Sequence, residues 1–194
     1  MRFKVVIVLA GLLMFVSACA TSRKVPVTST IERMGVVYMV HADQPFTGVA
    51  TAYYLNDRPE KSIEYRDGIK NGQQIEWLRD GRKSGITTWR NGLRDGEQIE
   101  WYENGREAFR GRMQQGKWNG ECRGWYPDGR PAFKIRFQDG RGSGNPIVIK
   151  WNNGNLMREF PDVKIDGEWI EWHASGRLTR SEKYHNGQLI EKLK

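Results

Sequence analysis

From about residue 35 to residue 190 the chain alternates apolar and polar residues over short stretches, and glycine-containing pairs cut the stretches apart. In Gln73-Gln74-Ile75-Glu76-Trp77, Ile75 and Trp77 fall on one face and Glu76 on the other. That is the period of a half-buried strand. Asp80-Gly81 follows, then a returning stretch with Thr87 and Trp89, and Asn91-Gly92 reverses the chain again. Asn-Gly and Asp-Gly favour type I′ turns, in which both central residues take positive φ. Asn104-Gly105, Asp128-Gly129, Asp139-Gly140 and Asn186-Gly187 carry the same signal. The predicted unit is a β-hairpin.

The unit recurs. "QIEWLRDGRK" begins at Gln74 and "QIEWYENGRE" at Gln98, 24 residues on. Leading glycines stand at Gly48, Gly72, Gly96, Gly120, Gly144 and Gly167. A second series runs through Gly68, Gly92, Gly116, Gly140 and Gly187. A third, at the hairpin turns, runs through Gly81, Gly105, Gly129 and Gly176. Aromatics keep the same register. Tyr53, Trp77, Trp101, Trp125 and Trp172 hold one slot; Tyr65, Trp89, Phe137 and Tyr184 hold another, with Met113 in the third unit. A lone hairpin is marginal in water, whereas stacked copies bury one another's rings. These aromatics are therefore expected to form a continuous structural stripe; an exposed groove for sugars or peptides is the alternative. The expected fold is all-β: an elongated, single antiparallel sheet of about six tandem 24-residue hairpins. Twelve strands at about 4.8 Å would extend roughly 55–60 Å.

Two units depart from the pattern. Asp57 replaces the turn glycine of the first, although Asn56-Asp57 can still take left-handed angles. The fifth, Gly144–Asp166, contains Pro146 and Pro161 and brings Trp151 one place closer to Gly154. Proline cannot donate to a central ladder. A bulge, a bend, an edge presented to a partner or a decayed repeat is expected there.

The chain opens differently. Arg2 and Lys4 precede an unbroken apolar run, Val5–Val16, too short for a span of roughly 20 residues and suited to the core of a signal peptide. Val16-Ser17-Ala18-Cys19 resembles a bacterial lipobox, which implies cleavage before Cys19 and acylation of its thiol. Ala20 after the cysteine, by resemblance to enterobacterial lipoproteins, favours the outer membrane. The expected organisation is a signal peptide over 1–18, a lipid anchor and tether over 19–30, and the repeat domain over 31–194, with Ile31–Val40 capping the array. Cys122 then remains as the second cysteine, without an intramolecular disulfide partner.

Composition narrows the function. Eight Trp, seven Tyr and seven Phe argue for a folded domain despite a hydrophobic content of 38%. Loss of Arg2 and Lys4 with the signal peptide lowers the net charge from +8 to +6. The cations are scattered among Glu and Asp, as on a solvated surface; attraction to anionic headgroups or cell wall is the alternative. An exported lipoprotein argues against nucleic acid.

The turns "YENG" (Tyr102–Gly105), "YPDG" (Tyr126–Gly129) and "YHNG" (Tyr184–Gly187), with the unit ends "IKNG", "LRDG" and "KWNG", resemble the bacterial variant of the MORN repeat. The lead-in "PFTGVATAYYLND" (Pro45–Asp57) resembles the start of members described as YwqK-type antitoxins. The resemblance implies stacked hairpins that act in protein interaction or as a scaffold.

Chemistry is sparse. His41, His173 and His185 lack a metal spacing, although His173 and His185 share a hairpin. "GRGSG" (Gly140–Gly144) has glycines for an anion nest but no strand-to-helix context. Glu76, Glu100 and Glu171 share a slot on the face away from Trp77. Glu76 and Glu100 should lie about 10 Å apart, two strand spacings, near the upper end of the roughly 6.5–9.5 Å used by inverting glycosidases. Polar-out alternation explains them without catalysis, paired across strands to Arg or Lys. The expectation is a non-enzymatic, cofactor-free scaffold at the cell envelope with a protein partner. An immunity protein that sequesters a toxin, and a glycan binder or hydrolase, are the alternatives. Far-UV circular dichroism should register β structure with almost no helix; substantial helix would overturn the fold.

Overall fold

A computed structural model describes residues 23–137, 147–150, 156–161 and 163–193. Among them there is no α-helix, and one short 3-10 turn spans Val27–Ser29. Five hairpins build the main sheet. They are β4 (Gly48–Tyr53) with β5 (Pro59–Arg66), β6 (Ile69–Trp77) with β7 (Lys83–Arg90), β8 (Leu93–Trp101) with β9 (Glu107–Gln114), β11 (Gly120–Trp125) with β12 (Pro131–Phe137), and β15 (Ile165–Trp172) with β16 (Leu178–His185). β17 (Gln188–Lys192) closes the far edge, and β10 (Lys117–Trp118) pairs at the side of β9.

The near edge is β1 (Lys24–Pro26), which runs parallel to β4 with Val25 opposite Ala50. This strand falls inside the stretch expected to be tether. β2 (Thr30–Arg33) and β3 (Val36–Met39), in the stretch expected to cap the array, form a separate hairpin that packs on the sheet while β1 takes its edge. The expected signal peptide, Cys19, Gly140, Gly144, Pro146, Trp151 and Gly154 lie outside the described residues.

The fifth unit does not extend the sheet. β12 pairs directly with β15, Ile135 opposite Trp169. The chain between them forms its own hairpin, β13 (Ile147–Lys150) with β14 (Leu156–Phe160). The expectation of six hairpins in one sheet is thus corrected to five hairpins plus two terminal strands, β1 and β17. A prolyl nitrogen cannot complete a central ladder, and this unit is better used as a cover. Phe160 is fully buried, with ring centroids 5.1 Å from Phe137, 5.4 Å from Trp118, 5.9 Å from Phe133 and 6.1 Å from Phe109. Ile147, Ile149 and Val163 join it over Cys122, Ile135 and Ile165 in the main core. A smaller core at the other end places Val37 and Phe46 against Val25 and Ala50, with Tyr65 alongside.

Two turn chemistries alternate along the ribbon. At one edge, Asp67-Gly68, Asn91-Gly92, Gln115-Gly116 and Asn186-Gly187 have positive φ at both positions, as type I′ requires. At the other edge, Gly81, Gly105, Gly129 and Gly176 are left-handed but the residues before them are not. The Gly81 N–H donates to the Leu78 carbonyl at 2.9 Å and the Leu78 N–H to the Arg82 carbonyl at 2.8 Å. This is a type I turn followed by a glycine bulge, which corrects the type I′ expectation for this edge. Asp57 fills the glycine position of the first unit at φ 60°. The leading glycines serve a third purpose. Gly72 has φ 118°, and a Cβ there would overlap the Glu64 carboxylate.

Phe160→Ala should cost about 3–5 kcal/mol of unfolding free energy in a urea titration, the usual range for a buried aromatic. Leu55→Ala, at a fully exposed side chain, should stay within about 0.5 kcal/mol of the parent.

Candidate functional site

Cross-strand register assigns every side chain of the sheet to one of two faces. Ile75 stands opposite Ile86, Ile86 opposite Ile99, and Ile99 opposite Arg110. The same row continues through Arg123 and Lys134 to Ile170. By alternation Trp77, Trp101, Trp125 and Trp172 lie on this face too. Gly72 stands opposite Trp89, and Glu76 opposite Gly85. Trp89 and Glu76 therefore share the other face, as do Tyr65, Met113, Phe137 and Tyr184.

The expected single aromatic stripe is thus two stripes on opposite faces, and the three glutamates sit on an aromatic face. The reason is parity. Trp77 is an odd number of residues from Gly72, whereas Trp89 pairs with Gly72 itself.

Both covering hairpins pack on the Trp89 face: the β13–β14 hairpin over Phe109, Phe133 and Phe137, the β2–β3 hairpin beside Ala50 and Tyr65. Among the described residues no hairpin covers the Ile75 face. That open face has two halves. In the first, Ile75 and Ile86 are half-buried, Ile99 is shielded by its neighbours, and Trp77 and Trp101 flank them half-buried. In the second, Arg110 pairs with Glu107 at 2.8 Å and Glu97 at 3.3 Å, Arg123 with Glu121, and Lys134 with Glu168 at 2.6 Å. The Lys134 ammonium holds the Glu168 carboxyl below its ordinary range. The second half is satisfied by its own ion pairs, whereas the first presents apolar side chains.

Tyrosines in the bulged turns staple successive units. The Tyr54 hydroxyl donates to the Trp77 carbonyl at 2.6 Å and Tyr102 to that of Trp125 at 2.6 Å. Tyr126 reaches the Trp172 carbonyl at 2.8 Å, across 46 residues, because the intervening unit has left the sheet. Leu78 occupies this slot in the second unit and cannot donate. Tyr184, quoted above beside Tyr102 and Tyr126, belongs to a type I′ turn and instead donates to Glu182 at 2.8 Å. Burial raises the Tyr102 hydroxyl to about 12, so it remains a donor. Arginines add to the turn stack: Arg58 donates to the Asp80 carbonyl at 2.6 Å, and Arg106 to that of Asp128. Sequence reading missed these staples, although a tyrosine after the slot aromatic in three units was the signal.

The remaining expected sites resolve as follows. Lys61 pairs with Glu76 at 2.8 Å, Arg158 with Glu100 at 2.7 Å and Arg180 with Glu171 at 3.4 Å. Two of the three cations come from the adjacent strand, and Arg158 comes from the covering hairpin. Burial raises the Glu171 carboxyl against the pull of Arg180. Tyr53 is half-exposed at the turn edge. His173 is held by Ser175 in a turn and His185 lies 3.4 Å from Asp166, so the hairpin puts the two histidines at opposite ends. Among the described residues no three His, Cys, Asp or Glu side chains gather as a metal site. No helix among them is long and apolar enough to cross a membrane. Cys122 is completely buried, and desolvation pushes its thiol up to about 12. The chain matches no protein-family model and no curated protein.

Tyr102→Phe should lower unfolding free energy by about 0.5–1.5 kcal/mol, one hydrogen bond's net contribution. Leu78→Tyr should raise it by up to a similar amount, by donating to Trp101; urea midpoints decide both. The Cys122 thiol should react with a thiol reagent only as fast as the protein unfolds. Its folded pKa lies above the unfolded value of about 8.5. The thiol's contribution to stability is therefore intact below that pH and lost as pH rises through about 12.

Proposed function

We propose that this chain is a lipid-anchored protein of the bacterial envelope whose repeat sheet is a docking surface for another protein. The observation that carries the reading is the apolar row of half-buried Ile75 and Ile86, with Ile99 buried beside them, between Trp77 and Trp101 on the face that neither covering hairpin reaches. Aromatic and aliphatic side chains on a rigid surface, rimmed by charge, are what protein interfaces use at their centres. The 24-residue stacking of hairpins supports the resemblance to MORN-variant scaffolds. The signal-peptide and lipobox pattern supports acylation at Cys19 and an outer-membrane, periplasm-facing location. With β1 beginning at Lys24, the linker from Cys19 reaches at most about 18 Å. The near edge of the sheet then stays close to the bilayer.

Crosslinking of the full chain in intact cells, followed by mass spectrometry, tests this reading. A stoichiometric partner should be captured by the parent chain. It should be lost with Ile86→Lys, which charges the middle of the row, and with the mislocalised Cys19→Ser variant. A toxin as that partner would specify immunity as the role. Capture unaffected by Ile86→Lys, or no partner at all, would sink the docking reading and leave glycan binding as the stronger one. Metabolic labelling with palmitate should mark the parent and not Cys19→Ser.

A further inference from the structure

A hairpin laid on a sheet is ordinarily apolar underneath and polar above. The β2–β3 hairpin is apolar on both sides. Val37 and Met39 belong to the near-end core with Val25, Phe46 and Ala50. Ile31 stands opposite Tyr38 and Arg33 opposite Val36, so alternation turns these four away from the sheet. Ile31 is exposed there, and Val36 and Tyr38 are half-buried. Val40 follows, its N–H on the Ser29 carbonyl at 2.9 Å, and is exposed too. The other covering hairpin differs, since its outward side sets Val148 opposite an exposed Glu159.

The turn of this hairpin is also unlike the rest. Met34-Gly35 has positive φ at both positions, 50° and 79°, as type I′ requires. The four type I′ turns of the main sheet place Asp67, Asn91, Gln115 and Asn186 first, all polar. Met34 is fully exposed. A left-handed methionine wholly in water contributes nothing to the fold, and strain of this kind concentrates where a surface is used.

Charge and position select the surface. From Arg23 to His41 the cations are Arg23, Lys24 and Arg33, and the sole carboxylate is Glu32. The three cations are exposed, and Arg33 lies 5.2 Å from the centre of the Tyr38 ring on the outward side. Glu32 belongs to the sheet side: burial, and after it the Glu32 carboxylate, raise the Tyr65 hydroxyl above its ordinary range. The outward side is thus apolar with a cation and no acid. Tyrosine, an arginine that lays its stem on apolar surface, and aliphatic tips suit the boundary of a bilayer. The linker keeps Lys24 within about 18 Å of Cys19, and β1 leads through the Val27–Ser29 turn into this hairpin.

We propose that the outward side of the β2–β3 hairpin beds in the headgroup layer of the bilayer that carries the anchor, Met34 deepest, with Arg23, Lys24 and Arg33 against anionic headgroups. This placement rests on acylation at Cys19. Lipid then covers the near end of the Trp89 face, and the Ile75 face, on the other side of the sheet, stays open to a protein.

The test attaches a nitroxide through Met34→Cys, and separately through Ile190→Cys on the far-edge strand, in the chain isolated from cells and placed in vesicles of phosphatidylethanolamine and phosphatidylglycerol. Cys122 is completely buried, and acylation blocks Cys19. An interfacial segment sits about 5–10 Å into the headgroup boundary, so the ratio of oxygen to nickel-chelate collision rates should be about tenfold higher for the Met34→Cys label than for the Ile190→Cys label. Adding Arg33→Glu should lower the first ratio about threefold. Met34, Arg33 and Ile190 are all exposed, so none of these changes threatens the fold. A Met34→Cys label as open to nickel as the Ile190→Cys label would overturn the proposal. So would one shielded from both reagents, which marks a protein contact. Palmitate labelling of the same chain separates the two failures. A palmitate-bearing chain whose Met34→Cys label stays in water loses this placement alone, whereas a palmitate-free chain loses the anchor and the placement with it.

Discussion

A single β layer has no interior, and every other feature of this protein answers that constraint. Backbone hydrogen bonds hold the strands side by side, but they bury neither face. Cover must come from neighbouring side chains in the plane or from a piece of chain laid on top. The protein uses both. Along β5–β8 long side chains lean across one another, and most residues remain half-buried. Along β9–β12 and β15 a whole hairpin is spent as a lid, and Phe160 at its end contacts four aromatic rings.

The two edges of the ribbon are chemically different as a result. The type I′ edge is tight and makes few side-chain contacts. The bulged edge carries Tyr54, Tyr102 and Tyr126, each bonded to the next unit in the sheet, and arginines that reach the neighbouring turn. The type I′ edge links successive units through the backbone instead: the Gly92, Gly116 and Gly187 N–H groups donate to the Lys70, Arg94 and Ile165 carbonyls. Links at both edges hold successive hairpins in register.

Much of this was legible in the sequence. The 24-residue period, the strand alternation and the glycine series lead directly to stacked hairpins, because local turn chemistry and the pleat dictate them. The facing of Trp89 was also written there. Counting from Gly72 puts it across from that glycine and away from Trp77, a matter of parity rather than of hydrophobicity. The lid had a signal as well. Phe109, Met113, Phe133, Ile135 and Phe137 make one face of the third and fourth units apolar where the second places Gln74, Glu76 and Thr87. Such a face demands a cover. Pro146 and Pro161 marked the unit able to leave the ladder, but its destination depends on contacts between distant residues that no local pattern encodes. The Arg158–Glu100 pair is illegible for the same reason, since the two meet only once the hairpin has folded back.

The skipped unit also divides the molecule in time. Each hairpin up to β12 closes with its immediate successor, so those contacts are local and form early. The β12–β15 pairing must wait until Phe137 and Ile165 meet across the intervening chain, with the entropy of closing that loop set against it. Folding then has a slow seam here, as at the near edge where β1 meets β4 across the β2–β3 hairpin, in an otherwise linear zipper. The Tyr126–Trp172 bond lies along it. Until the seam shuts, the apolar surface around Phe133 stays open, which makes this join the moment at which the chain most needs protection from its neighbours.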